Sequence, residues 1–436
     1  MIERGITTEI ENFFTGFHNL ALLITGAPET GKTTAVREYG RRAFRCFVEI
    51  DLNDETVLGT LNGFSNTHDL LTRISSLVDI PFLEGETLIF FDSVESFPDI
   101  ITAVKFLVDD GRYRYILAGT LSDIEIRAIS SIPVGYLAWM NMYPLSLLEF
   151  FSASGVSDGD LSEVKYAYDN LTPVESSLHS RLLGLFRLYL RVGGMPGAVQ
   201  RYIETNDLSR VRDEQMRILE KYREIFQKNE RRGMNRICQI YNLIPSELER
   251  PARRFIVTSL GKGIKAGRCQ PCFSWFESTG ITIPVHYVEK PILPLEAEKK
   301  PGLFKLFPSD VGLLSADYDS SSSALCETAV AGELLSHGLN LFCYNSRENG
   351  EIDFVLRINT SVLPVIVRSG KENKRHSALK NIMKNEEYGI GRGVVLTDDN
   401  VKVRGRIVFL PVYMAAFIRN DECGTLIYKV DLSGLE

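Results

Sequence analysis

Residues 26–33 read Gly-Ala-Pro-Glu-Thr-Gly-Lys-Thr, a G-x-x-x-x-G-K-[ST] run between an apolar stretch and a helical one. Gly26 and Gly31 let the backbone curl so that its N–H groups converge on phosphate oxygens. The Lys32 ammonium would reach the β- and γ-phosphates of ATP, and the Thr33 hydroxyl would ligate Mg²⁺. Ala27, Pro28, Glu29 and Thr30 would wall the loop, with Thr34 following in the first helical turn. Such a loop needs an acid near the magnesium. Asp92, ending the run Thr-Leu-Ile-Phe-Phe-Asp, supplies one, although a surface aspartate can end any strand.

These residues need strands to carry them. The segments at 20–26, 46–52, 87–92, 113–119 and 136–142 are short, apolar and rich in strand formers. Helix-length segments separate them, which predicts an α/β fold with a parallel, doubly wound sheet. From Leu161 to about Leu260 the spacing is helical. After about Lys305 strands return, as in Glu-Ile-Asp-Phe-Val-Leu-Arg-Ile at 351–358. Pro and Lys cluster between Pro284 and Pro301, where a linker is expected.

The chain has 436 residues, 44% hydrophobic and 24% charged, enough for several cored domains and unlike a disordered chain. No apolar run is long enough to span a membrane, and the amino terminus is acidic early with no uninterrupted apolar core. With seven scattered cysteines, Cys46, Cys238, Cys269, Cys272, Cys326, Cys343 and Cys423, this predicts a cytoplasmic protein with reduced thiols. Cys269 and Cys272 form a lone CxxC without the second pair a zinc site needs. His18, His68, His179, His286, His337 and His376 show no ligand spacing. Trp139, Trp275 and the stripe from Leu182 to Leu190 read as packing residues. Between 221 and 270 there are twelve Lys and Arg against four acids, a net +8, whereas the whole chain is −7. That segment suits DNA contact, or else a solvated helical face or an interdomain surface.

In order along the chain, Gly26–Thr34, Leu88–Asp92, Ile116–Thr120 and Met142–Phe150 are followed by Gly193–Val199, Ile244–Leu248, Leu303–Leu314, Gly350–Leu356 and Leu363–Lys371. This succession resembles a prokaryotic AAA-type P-loop ATPase family whose carboxyl-terminal domain belongs to the PD-(D/E)xK nuclease-like superfamily. The resemblance implies an ATPase domain with a helical lid over 1–205. It further implies a helical, winged-helix-like segment over 206–300 and a restriction-endonuclease-like α/β domain over 301–436. ATP and Mg²⁺ are the implied cofactors. Thr120 matches a position that senses the γ-phosphate, or is simply a threonine at a strand end.

Three departures from the family pattern bear on activity. Ser93 stands where many relatives carry the glutamate that polarises water; Glu95 lies two residues on and could partly compensate. Loss of a general base costs about 10²–10⁴-fold in rate. Tyr136, after Gly135, replaces an arginine that is a candidate finger, worth about 10³–10⁵ in turnover. In the last domain Glu327, Glu351 and Asp353 match acidic positions, but Ile366 replaces the metal carboxylate and Arg368 the lysine of the E-x-K strand. An isoleucine cannot bind Mg²⁺. Two classes of function follow: an ATP-dependent switch with weak or absent hydrolysis and an inactive nuclease-like domain, or a scaffold recognising DNA or a protein partner around a structural ATP site.

Overall fold

The computed structural model describes residues 2–17, 19–121, 135–231, 234–264, 266–368 and 377–420. His18, His376 and Cys423 lie outside these residues, as do Arg232 and Lys265 among the cations counted in 221–270 and residues 369–371 at the end of the Leu363–Lys371 segment.

The amino-terminal part is a parallel sheet of β1 (Ala21–Thr25), β2 (Cys46–Asp51), β3 (Thr87–Asp92), β4 (Arg114–Gly119) and β5 (Leu137–Asn141), in the order β2-β3-β4-β1-β5. Every residue of β1 is buried because β1 lies inside the sheet with helices on both faces. Helices α1 (Gly5–Gly16) and α2 (Lys32–Ala43) enclose one core, with Leu22, Ile24, Phe90 and Ile116. On the other face α3 (Glu55–Leu61), α4 (Thr67–Ser76) and α5 (Asp99–Asp110) enclose a second, with Leu23, Ile89, Phe91 and Leu117. The alternation along each strand thus divides its residues between two cores.

Helices follow: α6 (Leu147–Ala153), α7 (Asp158–Asn170), α8 (Ser176–Val192), α9 (Pro196–Thr205), α10 (Leu208–Arg231), α11 (Ile237–Leu248) and α12 (Ala266–Ser278). A capping box of Ser146 and Glu149 starts α6. The remaining strands, β6 (Thr282–Val288), β7 (Lys299–Pro308), β8 (Phe342–Ser346), β9 (Gly350–Ile358), β10 (Ser361–Val367), β11 (Gly393–Thr397), β12 (Lys402–Arg404) and β13 (Ile407–Pro411), form one mixed sheet. Its order is β12-β13-β11-β10-β9-β8-β6-β7. Helices α13 (Val311–Asp317), α14 (Ser322–Ser336) and α15 (Ser377–Lys384) complete this part.

The linker expected between Pro284 and Pro301 is narrower than that: its two ends belong to β6 and β7, and only residues 289–298 connect them outside the sheet. Pro284 lies within β6 opposite Leu306 of β7, and β8 joins β6 only at His286 and Tyr287. Proline is tolerated there because the strand is not yet paired on both sides. Trp139 also departs from expectation: it lies on edge strand β5 and is 44% exposed. Trp275 does anchor packing, edge-on to Phe226 and beside Phe276.

The largest core begins with Ala27, continues through Leu182, Phe186 and Leu190 of α8 and Tyr222 and Phe226 of α10, and ends at Ile418. It crosses residues 205 and 300, so the helical and strand-rich parts share one interior. Hereafter residues 145–418 are called the body.

Candidate functional site

β1 delivers the chain to Gly26, whose φ of 148° is open only to glycine; a Cβ there would lie 2.2 Å from the Met142 carbonyl oxygen. The chain then turns through Glu29 and Gly31, both left-handed, and enters α2 at Lys32. α2 has no acidic residue in its first turn and no side-chain cap, so its N–H groups and dipole face the loop unopposed. Thr34 is exposed in that turn. The Thr30 hydroxyl donates to the Ala27 carbonyl at 2.9 Å, closing the loop on itself.

Lys32 Nζ donates inward to the carbonyl oxygens of Gly26 (2.9 Å) and Ala27 (2.8 Å) and to Thr120 Oγ1 (3.3 Å). Burial pulls its pKa down to about 8, against the opposing pull of Glu95, Asp92 and Glu29. Thr33 Oγ1 donates to Asp92 Oδ2 at 2.7 Å, and Asp92 Oδ1 accepts from the Ser93 N–H at 2.9 Å. Burial raises Asp92, those two bonds lower it in part, and Asp51 and Glu49 add to the rise.

The strand order explains the rest of the constellation. β4 lies between β1 and β3, so Thr120, just beyond β4, emerges between the loop and Asp92. Its hydroxyl donates to the Gly26 carbonyl at 3.0 Å and its N–H to Glu95 Oε2 at 3.1 Å. Gly119 makes room for that carboxylate, since a Cβ there would lie 2.4 Å from Glu95 Oε2. Ser93, with φ 61° and ψ 47°, turns the chain so that Glu95 returns over β4. Lys32, Thr33, Asp92, Glu95 and Thr120 are therefore brought together.

Tyr136 is not among them. It immediately precedes β5 at the amino edge of the sheet, where its carbonyl accepts from Ala21 and its ring lies under Lys105 Nζ. The loop is at the carboxyl edge of the same sheet. An arginine at 136 would therefore not face its own chain's loop.

Other contacts escape sequence reading because their partners are distant. Arg4 donates to the Thr30 carbonyl (3.1 Å), the Tyr143 carbonyl (2.8 Å) and Glu149 Oε1 (3.1 Å). Glu29 accepts from Lys221 Nζ (2.7 Å) and Arg217 Nη2 (3.0 Å) of α10. The Tyr222 hydroxyl donates to the Pro28 carbonyl at 3.1 Å.

In the carboxyl-terminal sheet, Glu327, Glu351 and Asp353 surround an internal cation. Lys305 of β7, 0% exposed, places Nζ 3.1 Å from Glu351 Oε1, 3.5 Å from Glu327 Oε2 and 3.8 Å from Asp353 Oδ1. Arg253 pairs with Glu327, and Arg368 Nη1 lies 3.7 Å from Asp353 Oδ2. Burial works against the Lys305 charge, but Glu327, Asp353 and Glu351 together hold its pKa well above the usual lysine value. Burial and Asp353 push Glu327 up to about 7, against Lys305 and Arg253. Ile366 is buried in apolar contacts. Among the described residues, no group of three or more His, Cys, Asp or Glu side chains is arranged to hold a metal ion.

Several cations of 221–270 are consumed internally: Lys221 by Glu29, Arg223 by Asp317, Arg250 by Glu247 and Arg253 by Glu327. Lys228, Arg231, Arg254, Lys262 and Arg268 are exposed. Cys269 and Cys272 are buried thiols whose pKa values burial raises. No helix among the described residues is long and apolar enough to cross a membrane.

Residues 18–151 match the model of an AAA domain, residues 183–322 a domain of unknown function (DUF8612), and residues 322–414 another (DUF4143). No curated protein matches the chain. Among solved structures, a Walker-type ATPase of Pyrococcus abyssi is similar at 12% identity and a TM-score of 0.43, over 72% of this chain and 95% of that one. PCH-2 of C. elegans is similar at 12% identity and a TM-score of 0.29, over 51% and 70% of the two chains. The Aeropyrum pernix Orc1 protein, solved in complex with DNA, is similar at 12% and 0.27, over 77% and 92%. The amino-terminal part is an AAA-type P-loop domain.

Proposed function

We propose that this chain is an ATP-binding switch with slow hydrolysis. The observation that carries the reading is the joined set of Lys32, turned inward onto the loop carbonyls, and Thr33, bonded to Asp92 at 2.7 Å. The loop's two glycines admit close approach, and its lysine occupies the concavity that phosphate oxygens would fill. A hydroxyl beside a carboxylate is the all-oxygen donor pair that Mg²⁺ favours. ATP and Mg²⁺ therefore fit the residues present: Gly26–Thr34 would hold the phosphates, and Thr33 and Asp92 the ion. The ion would supply charge neutralisation at the phosphates.

Glu95 is the acid we assign to orient water, in place of Ser93. Its carboxylate lies beside Thr120 and Lys32, so it is near the loop, but its bond to the Thr120 N–H competes with that task. We infer slow turnover from this competition and from Ser93 standing where a water-polarising glutamate would be. The test is thermal shift and phosphate release with ATP and Mg²⁺. Ligand at 100 times its dissociation constant adds about 2.7 kcal/mol. The expected result is a clear shift, absent in Lys32→Ala, with turnover well below about 1 s⁻¹, a low value for an enzyme. Equal shifts in both proteins, or none in either, overturn the reading.

The carboxyl-terminal residues 301–436 are proposed as a nuclease-like domain without cleavage. Lys305 among the three acids and Ile366 in the apolar core support this. Cleavage of plasmid DNA in Mg²⁺ or Mn²⁺ that vanishes in Asp353→Ala overturns it. The exposed Lys228, Arg231, Arg254, Lys262 and Arg268 favour a second reading, DNA contact. Binding of duplex DNA that weakens steeply with salt would support it, and affinity unchanged in a variant with all five neutralised would end it.

A further inference from the structure

The phosphate loop is held from two sides, and both sides act on the same peptide units. On the inner side, Lys32 Nζ bonds the carbonyls of Gly26 and Ala27. On the outer side, Ala27 is the one fully buried residue before Leu145, among those described, that belongs to the body's core. Pro28 and Glu29 are tied to α10 through Tyr222, Arg217 and Lys221. Gly280, after α12, backs onto the loop so closely that a Cβ there would lie 3.5 Å from the Ala27 nitrogen.

The sheet's two cores lie apart from the core that the helical and strand-rich parts share. Polar contacts reinforce that union. The Gly194 N–H donates to Asp310 Oδ2 at 2.5 Å, the Leu147 N–H to Glu333 Oε2 at 2.9 Å, and Asn400 exchanges bonds with both backbone groups of Val174. Within α10, Gln215 holds the carbonyls of Arg191 and Val192, and Arg223 reaches Asp317 of α13. The lid helices α6 to α9 are thereby part of the body. A phosphate that takes Lys32 from the Gly26 and Ala27 carbonyls must re-set peptides whose outer surface is already packed on that body.

We propose that Arg217, Lys221 and Tyr222 are positioning residues through which the occupancy of the phosphate loop is read out by α10 and the body that moves with it. This rests on ATP binding at the loop. Arg217 and Lys221 have a second effect. Glu29 puts a carboxylate in a loop meant for an anion, and the two cations neutralise it from outside the P-loop domain. Burial opposes the charge on Glu29, but Lys221 and Arg217 prevail and hold its pKa below the usual value.

The experiment measures binding of a fluorescent ATP analogue with Mg²⁺, alongside hydrogen exchange of the α10 amides with and without that ligand. The full chain is used, as wild type, as Arg217→Gln with Lys221→Gln, as Tyr222→Phe and as Lys32→Ala. Wild type is expected to bind and to change exchange over 215–226. The double variant should still bind, about tenfold more weakly because Glu29 is no longer neutralised, a loss of about 1.4 kcal/mol. Its ligand-dependent change in α10 exchange should disappear. Tyr222→Phe, which keeps the ring and its packing, should bind like wild type with a diminished exchange response. A full response in both the double variant and Tyr222→Phe overturns the inference and leaves ATP binding intact. Nucleotide binding in wild type with no response in α10 does the same. Absence of binding in wild type, or binding unchanged in Lys32→Ala, overturns the ATP site itself and the inference with it.

Discussion

At the scale of single residues, the loop is shaped by steric exclusion as much as by charge. Gly26→Ala would drive a methyl into the Met142 carbonyl at a φ that alanine rarely adopts, so loss of ATP binding and a stability loss of about 2 kcal/mol or more are expected in a urea titration. Glu95→Gln keeps the shape and the bond from the Thr120 N–H but removes the base. Residual phosphate release should fall by about 10²-fold or more, while the nucleotide-induced thermal shift persists. A rate equal to wild type would place the water-orienting group elsewhere. Ser93 differs because its left-handed backbone aims its Cβ away from the path a strand-end residue would follow. This turn, rather than the missing glutamate alone, brings Glu95 to Thr120.

At the scale of elements, Lys305 joins β7, α14 and β9 by one ammonium. Lys305→Met leaves Glu327 and Asp353 buried with Arg253 and Arg368 as their remaining cations. A loss of about 3–5 kcal/mol is expected, readable from the urea midpoint. A second change, Glu327→Gln, should recover part of it. The sequence reveals some of these elements and conceals others for physical reasons. The strands of the first sheet are legible because each is a short apolar run, with β1, β3 and β4 almost wholly buried inside the sheet, and the runs at 46–52 and 87–92 begin at the first residues of β2 and β3. The phosphate loop is legible because Gly26 to Thr33 are neighbours in sequence. β6 is hidden by Pro284, a strand breaker that this lightly paired position tolerates. Lys305 is hidden because a lysine in Leu-Phe-Lys-Leu-Phe signals nothing until three acids from α14 and β9 surround it. Glu29 with Arg217 and Lys221 is concealed by nearly two hundred residues of separation.

At the scale of the whole molecule, stability should depend on pH in the reverse of the common pattern for paired carboxylates. Burial pushes Asp310 up to about 6 and Glu327 up to about 7, whereas the ordinary values of the two side chains are 3.8 and 4.5. Both groups hold protons in the folded state that the unfolded chain has released. Between about pH 4 and pH 7 these two groups make the folded state bind more protons, and each lowers stability by at most about 1.4 kcal/mol per pH unit. His286, whose pKa burial lowers to about 4, works the other way up to its ordinary value of 6.5, so stability falls through the window by less than the two together would give. Urea midpoints from pH 5 to pH 8 should decline and then level off. Glu327→Gln should flatten the part nearest neutrality, and a midpoint that rises with pH would contradict these assignments.

The shared sheet also constrains how the chain can be made. β6 and β7 lie before residue 322, where the two matched regions of unknown function meet, and β8 to β13 lie after it. Yet β6 pairs with β8, His286 opposite Phe342 and Tyr287 opposite Cys343. The helices upstream wait even longer: His179 meets Tyr413, and Val174 meets Asn400. During synthesis the P-loop domain can close its two cores once β5 has emerged. The open edge of the β6–β7 hairpin then remains uncovered until β8 has emerged, and the faces of α6 to α8 that pack on residues 412–417 wait until after the last strand. Such late-closing contacts slow folding and leave surface open to aggregation and chaperones. A chain cut near residue 322 would carry that edge permanently, so the two regions are expected to be inherited and expressed as a pair, and the first to be insoluble without the second.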